Sequence, residues 1–242
     1  PRVRYGSEDR FLMGGFDMNY DGRDIERYPD AQRDIVLAWG EFGRTTAAPY
    51  LFAQQTFAEK TVLNGGARYE HARTDNRYAQ YKAEQLRPVI DTNRGPMPNP
   101  DYKNPADIRE DLSYDGIVKK QGWAAELGLS RKLGKQGDVW LGYDRVYRYP
   151  TLDETASYQG YPLADPLNRN LDPETGDNFE VGARCEHRDW SVSLTGFYLL
   201  LDNEIVFDPD LSMNGFSGLN VNMGSTRRLG SEAEVAWTKN WY

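Results

Sequence analysis

Apolar and polar residues alternate one by one through several windows of this chain. Trp190, Val192 and Leu194 share one parity, and Ser191, Ser193 and Thr195 the other. Phe179, Val181, Ala183 and Cys185 alternate with Glu180, Gly182, Arg184 and Glu186. Trp123, Ala125, Leu127 and Leu129 alternate with Ala124, Glu126, Gly128 and Ser130. The same period runs through 63–70 and 230–237. Successive side chains of a strand point to opposite faces, so a period of two predicts strands with one apolar face. Less regular windows at 10–20, 45–57 and 138–149 predict three more strands, and 2–5 the end of another. Each is near the 9–11 residues that a tilted strand needs to cross a bilayer.

Alternation alone fits a soluble sandwich equally well, and the connections decide between the two. Short turns are expected at 6–9, 58–60, 133–137, 187–189 and 239–240, and long loops at 21–44, 72–119, 150–177 and 203–227. Short and long alternate without exception. An up-and-down barrel in an outer membrane has this asymmetry, with short turns on one rim and long loops on the other. A loop as long as 72–119 is uncommon in a compact soluble domain. Aromatic residues also sit at strand ends. Phe57, Trp190, Trp237, Trp241 and Tyr242 flank the short turns, and Tyr20, Tyr69, Trp123, Tyr147 and Tyr149 flank the long loops, as two interfacial girdles would.

Composition agrees once the barrel is considered. Of 242 residues 39% are hydrophobic and 27% charged, and the mean hydropathy is −0.76. No apolar run approaches the length of a spanning helix. Yet 16 Tyr, 6 Trp and 9 Phe are too many aromatics for a disordered chain. A net charge of −8 argues against a nucleic-acid partner, and the lone Cys185 forms no internal disulfide. An Arg or Lys facing lipid at the midplane costs roughly 2–4 kcal/mol. Parity therefore turns Arg68, Glu126, Arg148, Glu180, Arg184, Glu186, Arg228, Glu232 and Glu234 toward the lumen, where cross-strand ion pairs or contacts along a transport route await them.

No nucleophile–base pair, phosphate loop or metal-ligand spacing stands out, so no enzyme, cofactor or metal site is expected. His71 and His187 fall at strand ends. Asp208, Asp210, Ser212 and Asn214 superficially resemble a calcium loop, but Met213 and Leu219 occupy the positions where such a loop needs Gly and Glu.

Several motifs resemble those of TonB-dependent outer-membrane receptors. The segment 143–154, with Arg148-Tyr149-Pro150-Thr151 followed by Asp153 and Glu154, is similar to the family's Arg-x-Pro-Thr strand exit. Asn170-Leu171-Asp172-Pro173-Glu174, then Asn178 to Gly182, resembles its "N-x-L-x-P-E … N-x-E-x-G" segment. Asp202-Asn203-Glu204-Ile205, then Asn220, Asn222 and Gly230-Ser231-Glu232, resembles the next hairpin. Tyr50 to Gln55 with Gly65 to Tyr69 resembles an earlier one. These motifs fall in the family's order.

The resemblance implies a fold and a function. The fold is an all-β, transmembrane, antiparallel up-and-down barrel, of which 1–242 would form a sector of the family's 22 strands, without the plug and the terminal strands. The function is energised import of a scarce metal chelate, a ferric siderophore first of all, with outer-membrane lipid as surroundings and the TonB complex as partner through the plug. Substrate contacts are expected from the aromatic and cationic group Tyr147, Arg148, Tyr149, Tyr158, Tyr161 and Arg169. Two other readings stay open on the residues alone: a passive porin-like channel, and a soluble surface β-protein that binds glycans.

Overall fold

The computed structural model describes residues 1–28, 36–58, 60–81, 86–103, 110–155, 168, 170–210 and 219–238. The main elements are β1 (Arg2–Gly6), β2 (Arg10–Arg27), β3 (Ala38–Phe57), β4 (Thr61–Tyr81), β7 (Glu110–Leu133), β8 (Gly137–Arg148), β9 (Glu174–His187), β10 (Trp190–Asp202) and β13 (Thr226–Trp237). These nine strands form one antiparallel sheet in chain order. Two small hairpins ride on the connections: β5 (Val89–Thr92) with β6 (Gly95–Pro98), and β11 (Ile205–Asp208) with β12 (Leu219–Asn222). A single-turn helix, α1 (Leu152–Thr155), follows β8. The sheet is a barrel sector: among the described residues β1 and β13 each pair on one side only.

The turns are tight for local reasons. Gly6 has φ of 123°, and a Cβ there would stand 2.2 Å from the Arg10 carbonyl oxygen, so the β1–β2 hairpin needs glycine. Trp190 and Trp237 stack beside the lower turns, 5.9 Å apart.

Cross-strand partners share a face, so the register sorts every side chain. One face carries Leu63, Leu127, Leu129, Leu141, Val181, Val192, Leu194 and Val235, all at least 39% exposed in this chain. We call it the band face. A folded soluble domain does not leave so large a continuous apolar surface to water. The opposite face carries charged and polar side chains among tightly packed aromatics. There the Trp140 ring lies across Gly182, where a Cβ would come within 2.1 Å of it.

The expected loops 21–44 and 72–119 are much shorter than the pattern suggested. β2, β3, β4 and β7 run for 18, 20, 21 and 24 residues, and their paired register continues well past the apolar band. The reason is an exchange of faces. Along β4 the band face reads Leu63, Gly65, Ala67, Tyr69 and then His71, Arg73, Asp75, Arg77. The opposite face reads Asn64, Gly66, Arg68, Glu70 and then Ala72, Thr74, Asn76, Tyr78. Above Tyr69 the charged residues are therefore on the outside of the band. Arg73 pairs with Asp75 at 2.8 Å, and Arg77 lies 3.9 Å from both Glu41 and Asp115. Ala38, Phe42 and Tyr78 are buried on the other face against Leu152 of α1, with Ile25 and Tyr114 packed on them. Burial of this cluster, like that in any water-soluble core, holds the upper sheet and α1 together.

Candidate functional site

The register puts Arg68, Glu126, Glu180, Arg184, Glu186, Arg228, Glu232 and Glu234 on the one polar face. Gly66 faces Glu126; Glu126, Asp144, Asn178, Leu199 and Arg228 form one row across five strands; Thr195 stands between Gly182 and Glu232; and Ser193 stands between Arg184 and Glu234. Several of these charges are already paired. Arg68 meets Asp17 at 2.5 Å and Glu70 at 2.6 Å. Arg184 meets Glu186 at 2.8 Å, and Arg228 pairs with Glu204. Glu180 accepts from the Trp140 indole at 2.6 Å.

The upper end of this face is built around Arg148. Its Nε and Nη2 donate to the two oxygens of Glu174 at 2.6 and 2.8 Å, and Nη1 donates to Glu154 at 2.9 Å. All three guanidinium nitrogens thus meet carboxylates, and the bidentate arm is the strong geometry. Thr151 and Glu154 form a reciprocal cap on α1: the Glu154 amide donates to Thr151 Oγ1 at 3.2 Å and the Thr151 amide to Glu154 Oε2 at 2.7 Å. Glu174 also accepts from the Ile205 amide at 2.7 Å, which ties down the start of β11. The Arg148 hydrogen bonds hold the Glu174 carboxyl below its ordinary pKa.

The motif asparagines knit the neighbouring loops. Asn222 donates to the carbonyls of Asp172 at 3.0 Å and Asn203 at 2.8 Å, and the Asp172 amide donates back to Asn222 Oδ1 at 2.7 Å. Asn168 donates to the Asn220 carbonyl at 2.5 Å. Much of what resembles a family signature in the sequence is this latch, which fixes the connections after β8 and β10 above the sheet.

Tyr147 and Tyr149 contact edge-on, with ring centroids 5.4 Å apart. Both reach the polar side and not an outer girdle, Tyr147 although its register with Thr175 gives it the parity of Arg145. Tyr147 covers Gly122, where a Cβ would be 2.4 Å from its ring, and the Tyr149 hydroxyl donates to the Glu70 carbonyl at 2.9 Å. Burial pushes the Tyr149 phenol up. Tyr158, Tyr161 and Arg169 lie outside the described residues, as do Ser212 and Asn214 of the acidic run. Among the described residues no group of three or more His, Cys, Asp or Glu side chains could hold a metal ion. His187 only meets Gln136, at 3.3 Å.

On the band face, Tyr20, Tyr69 and Trp123 remain exposed near the level where the charges begin. A further ion pair with the band parity lies lower down. Arg145 meets Asp177 at 2.8 Å, Asp177 accepts from the Tyr143 hydroxyl at 2.7 Å, and the guanidinium lies 4.6 Å from the Trp123 ring centre. Pairing and the aromatic cover make that position tolerable for a charge.

Comparison with known proteins settles the family. A profile described as "TonB dependent receptor-like, beta-barrel" matches residues 2–242. The chain belongs to the TonB-dependent receptors. This receptor chain is 33% identical over 101 residues to the hemophilin receptor of Acinetobacter baumannii, a match covering 39% of this chain and 9% of that protein. Its fold is that of the copper transporter OprC (TM-score 0.69, 16% identity, 99% of this chain and 34% of that one). The ferric-catecholate import receptor Fiu of E. coli K12, in its closed form, is also similar (TM-score 0.65, 14% identity, 99% of this chain and 34% of that one). The TonB-dependent receptor chain thus spans about a third of the solved structures it matches.

Sequence reasoning missed Arg44, Asn76 and Lys120, which face the Tyr149 side of the sheet. The signal was present: Arg44, Thr46 and Ala48 continue the parity of Tyr50 and Phe52, but the change of polarity between the faces disguised it.

Proposed function

We propose that this chain is a wall of an outer-membrane receptor that imports a scarce metal chelate, a ferric siderophore being the leading substrate. The band face meets lipid and the polar face lines the lumen. The observation behind this reading is the sheet itself, apolar on one face between two aromatic levels and charged on the other. The eight lumen charges serve mainly as cross-strand ties, and energy enters through a plug that contacts TonB. Tyr147 and Tyr149, with Tyr158, Tyr161 and Arg169, supply stacking and charge at the extracellular mouth. Arg148 acts there by positioning, since its guanidinium is engaged by Glu154 and Glu174.

A second reading is that the receptor takes hemophilin or a ligand like it. The identity shared with a hemophilin receptor favours it. Uptake of radioactive iron by cells expressing the whole receptor tests both. Energised siderophore import predicts accumulation that a protonophore abolishes. Accumulation that persists without a proton gradient would indicate a passive channel, and a receptor that retains hemophilin but no free chelate would replace the first reading with the second.

A further inference from the structure

Beneath Tyr149, where β3, β4 and β7 leave the apolar band, a small cavity of about 30 Å³ is enclosed between the sheet and the connection after β8. Its polar lining is Arg44, Thr74, Asn76, Lys120, Tyr149 and Thr155, and Leu171 closes one side. Arg44 is part-buried here. Its Nε donates to Thr74 Oγ1 at 3.2 Å, and its Cζ lies 6.0 Å from the centre of the Tyr149 ring. Among the described residues it makes no ion pair.

That lack sets Arg44 apart. On the same face Arg68, Arg148 and Arg228 each hold at least one carboxylate. Of the acids that act on Arg44, Glu70 pairs with Arg68 and Glu154 with Arg148, and Asp21, the cross-strand partner of Arg44, forms no ion pair with it. Lys120 adds a second cation to the lining, its Nζ 3.1 Å from Asp172. Burial draws the Arg44 pKa below its ordinary value, against the pull of Asp21 and more distant groups. A part-buried guanidinium with free N–H groups, and no described carboxylate within ion-pair distance, can take a further acceptor. The volume has room for about two waters, or for one carboxylate. Arg presents its donors in a fork that fits such a group.

We propose that this cavity receives a carboxylate of the imported ligand, with the guanidinium of Arg44 as its main partner and Lys120 and Thr74 as supports. The inference rests on the transport reading and narrows it: the cargo bears at least one free carboxylate that can reach past Tyr149. A carboxylate-bearing ferric chelate and haem, with its two propionates, share this chemistry.

The test is binding to the purified whole receptor and to its Arg44→Gln and Arg44→Lys variants, with correct folding verified by heat-modifiable migration. The probes are ferric citrate, haem, haem dimethyl ester and a carboxylate-free ferric trihydroxamate. The expected result is that Arg44→Gln weakens ferric citrate or haem by about 10- to 100-fold, the range of a lost charge-assisted bond. Arg44→Lys should recover part of this, and the ester should bind native and variant receptor alike. Which acid loses affinity identifies the source of the carboxylate. The proposal is overturned if neither acid binds the native receptor, or if Arg44→Gln leaves their binding unchanged. In cells expressing the same receptors, undiminished import of the trihydroxamate in either case would retain the transport reading and discard the pocket, whereas failure to import any iron compound would discard the transport reading itself.

Discussion

Leu194 and Thr195 are adjacent on β10 and point to opposite faces, which makes them a direct test of which face meets lipid. From Trp190 to Tyr198 the strand advances eight residues, about 27 Å at roughly 3.4 Å each. With a tilt of about 40° that is a height of about 21 Å, close to the apolar band of about 25 Å in such barrels. Leu194 lies at the middle, 58% exposed, and its cross-strand neighbours are Ala183 and Ala233. Leu194→Arg therefore puts a guanidinium at the midplane, with a cost of about 2–4 kcal/mol, or roughly 30- to 700-fold in the folding equilibrium. Thr195→Arg puts the same group opposite Glu232 on the polar face, where a paired charge changes stability by less than about 1 kcal/mol. Reversible urea unfolding of the whole receptor in lipid vesicles, followed by tryptophan fluorescence, measures both. Equal costs for the two variants, or a larger cost for Thr195→Arg, would refute the assignment of faces.

Three further outcomes follow from the upper structure. Leu152→Ala removes the side chain that α1 contributes to the buried cluster; a loss of about 2–5 kcal/mol should appear as faster hydrogen exchange of residues 149–155 with the lower barrel unchanged. Glu174 has a depressed folded pKa, so its contribution to the latch is complete above the ordinary carboxylate range and is lost as pH falls through the depressed value. Hydrogen exchange around β11 should therefore stay slow from pH 7 to about pH 5 and speed up only in stronger acid, and Glu174→Gln should be fast throughout. Gly182→Val drives a side chain into the Trp140 ring, and overpacking of this kind costs about 1–3 kcal/mol, read as a lowered urea midpoint.

The strands that cross the band were legible because lipid and lumen impose opposite demands on alternate residues. Trp190 to Gly196 shows this in seven letters. Their upper continuations were not, because Phe42, Tyr78 and Ala38 are apolar on the parity that is polar lower down. A period-two pattern that changes phase mid-strand resembles the end of a strand, and 21–44 and 72–119 were accordingly read as loops. Thr151 and Glu154 stood at capping-box spacing in plain view. The partners of Arg148 were less accessible: Glu174 lies 26 residues away, and only the pairing of β8 with β9 brings the two together. Arg44 is set apart by having no carboxylate within ion-pair distance among the described residues, and a distance of that kind cannot be read from a sequence.

The exchange of faces along β4 also fixes how deep the wall can sit. The same strands are dressed for hydrocarbon below Tyr69 and for water above it, so the crossing point acts as a waterline drawn on the protein. Sinking the wall by two residues, about 7 Å along the strand, would carry Arg73 toward the lipid edge. Raising it by as much would strip lipid from the lower leucines. Either displacement is opposed on several strands at once. The proposed ligand mouth at Tyr149 and Arg44 would thereby be held at a set height above the bilayer surface.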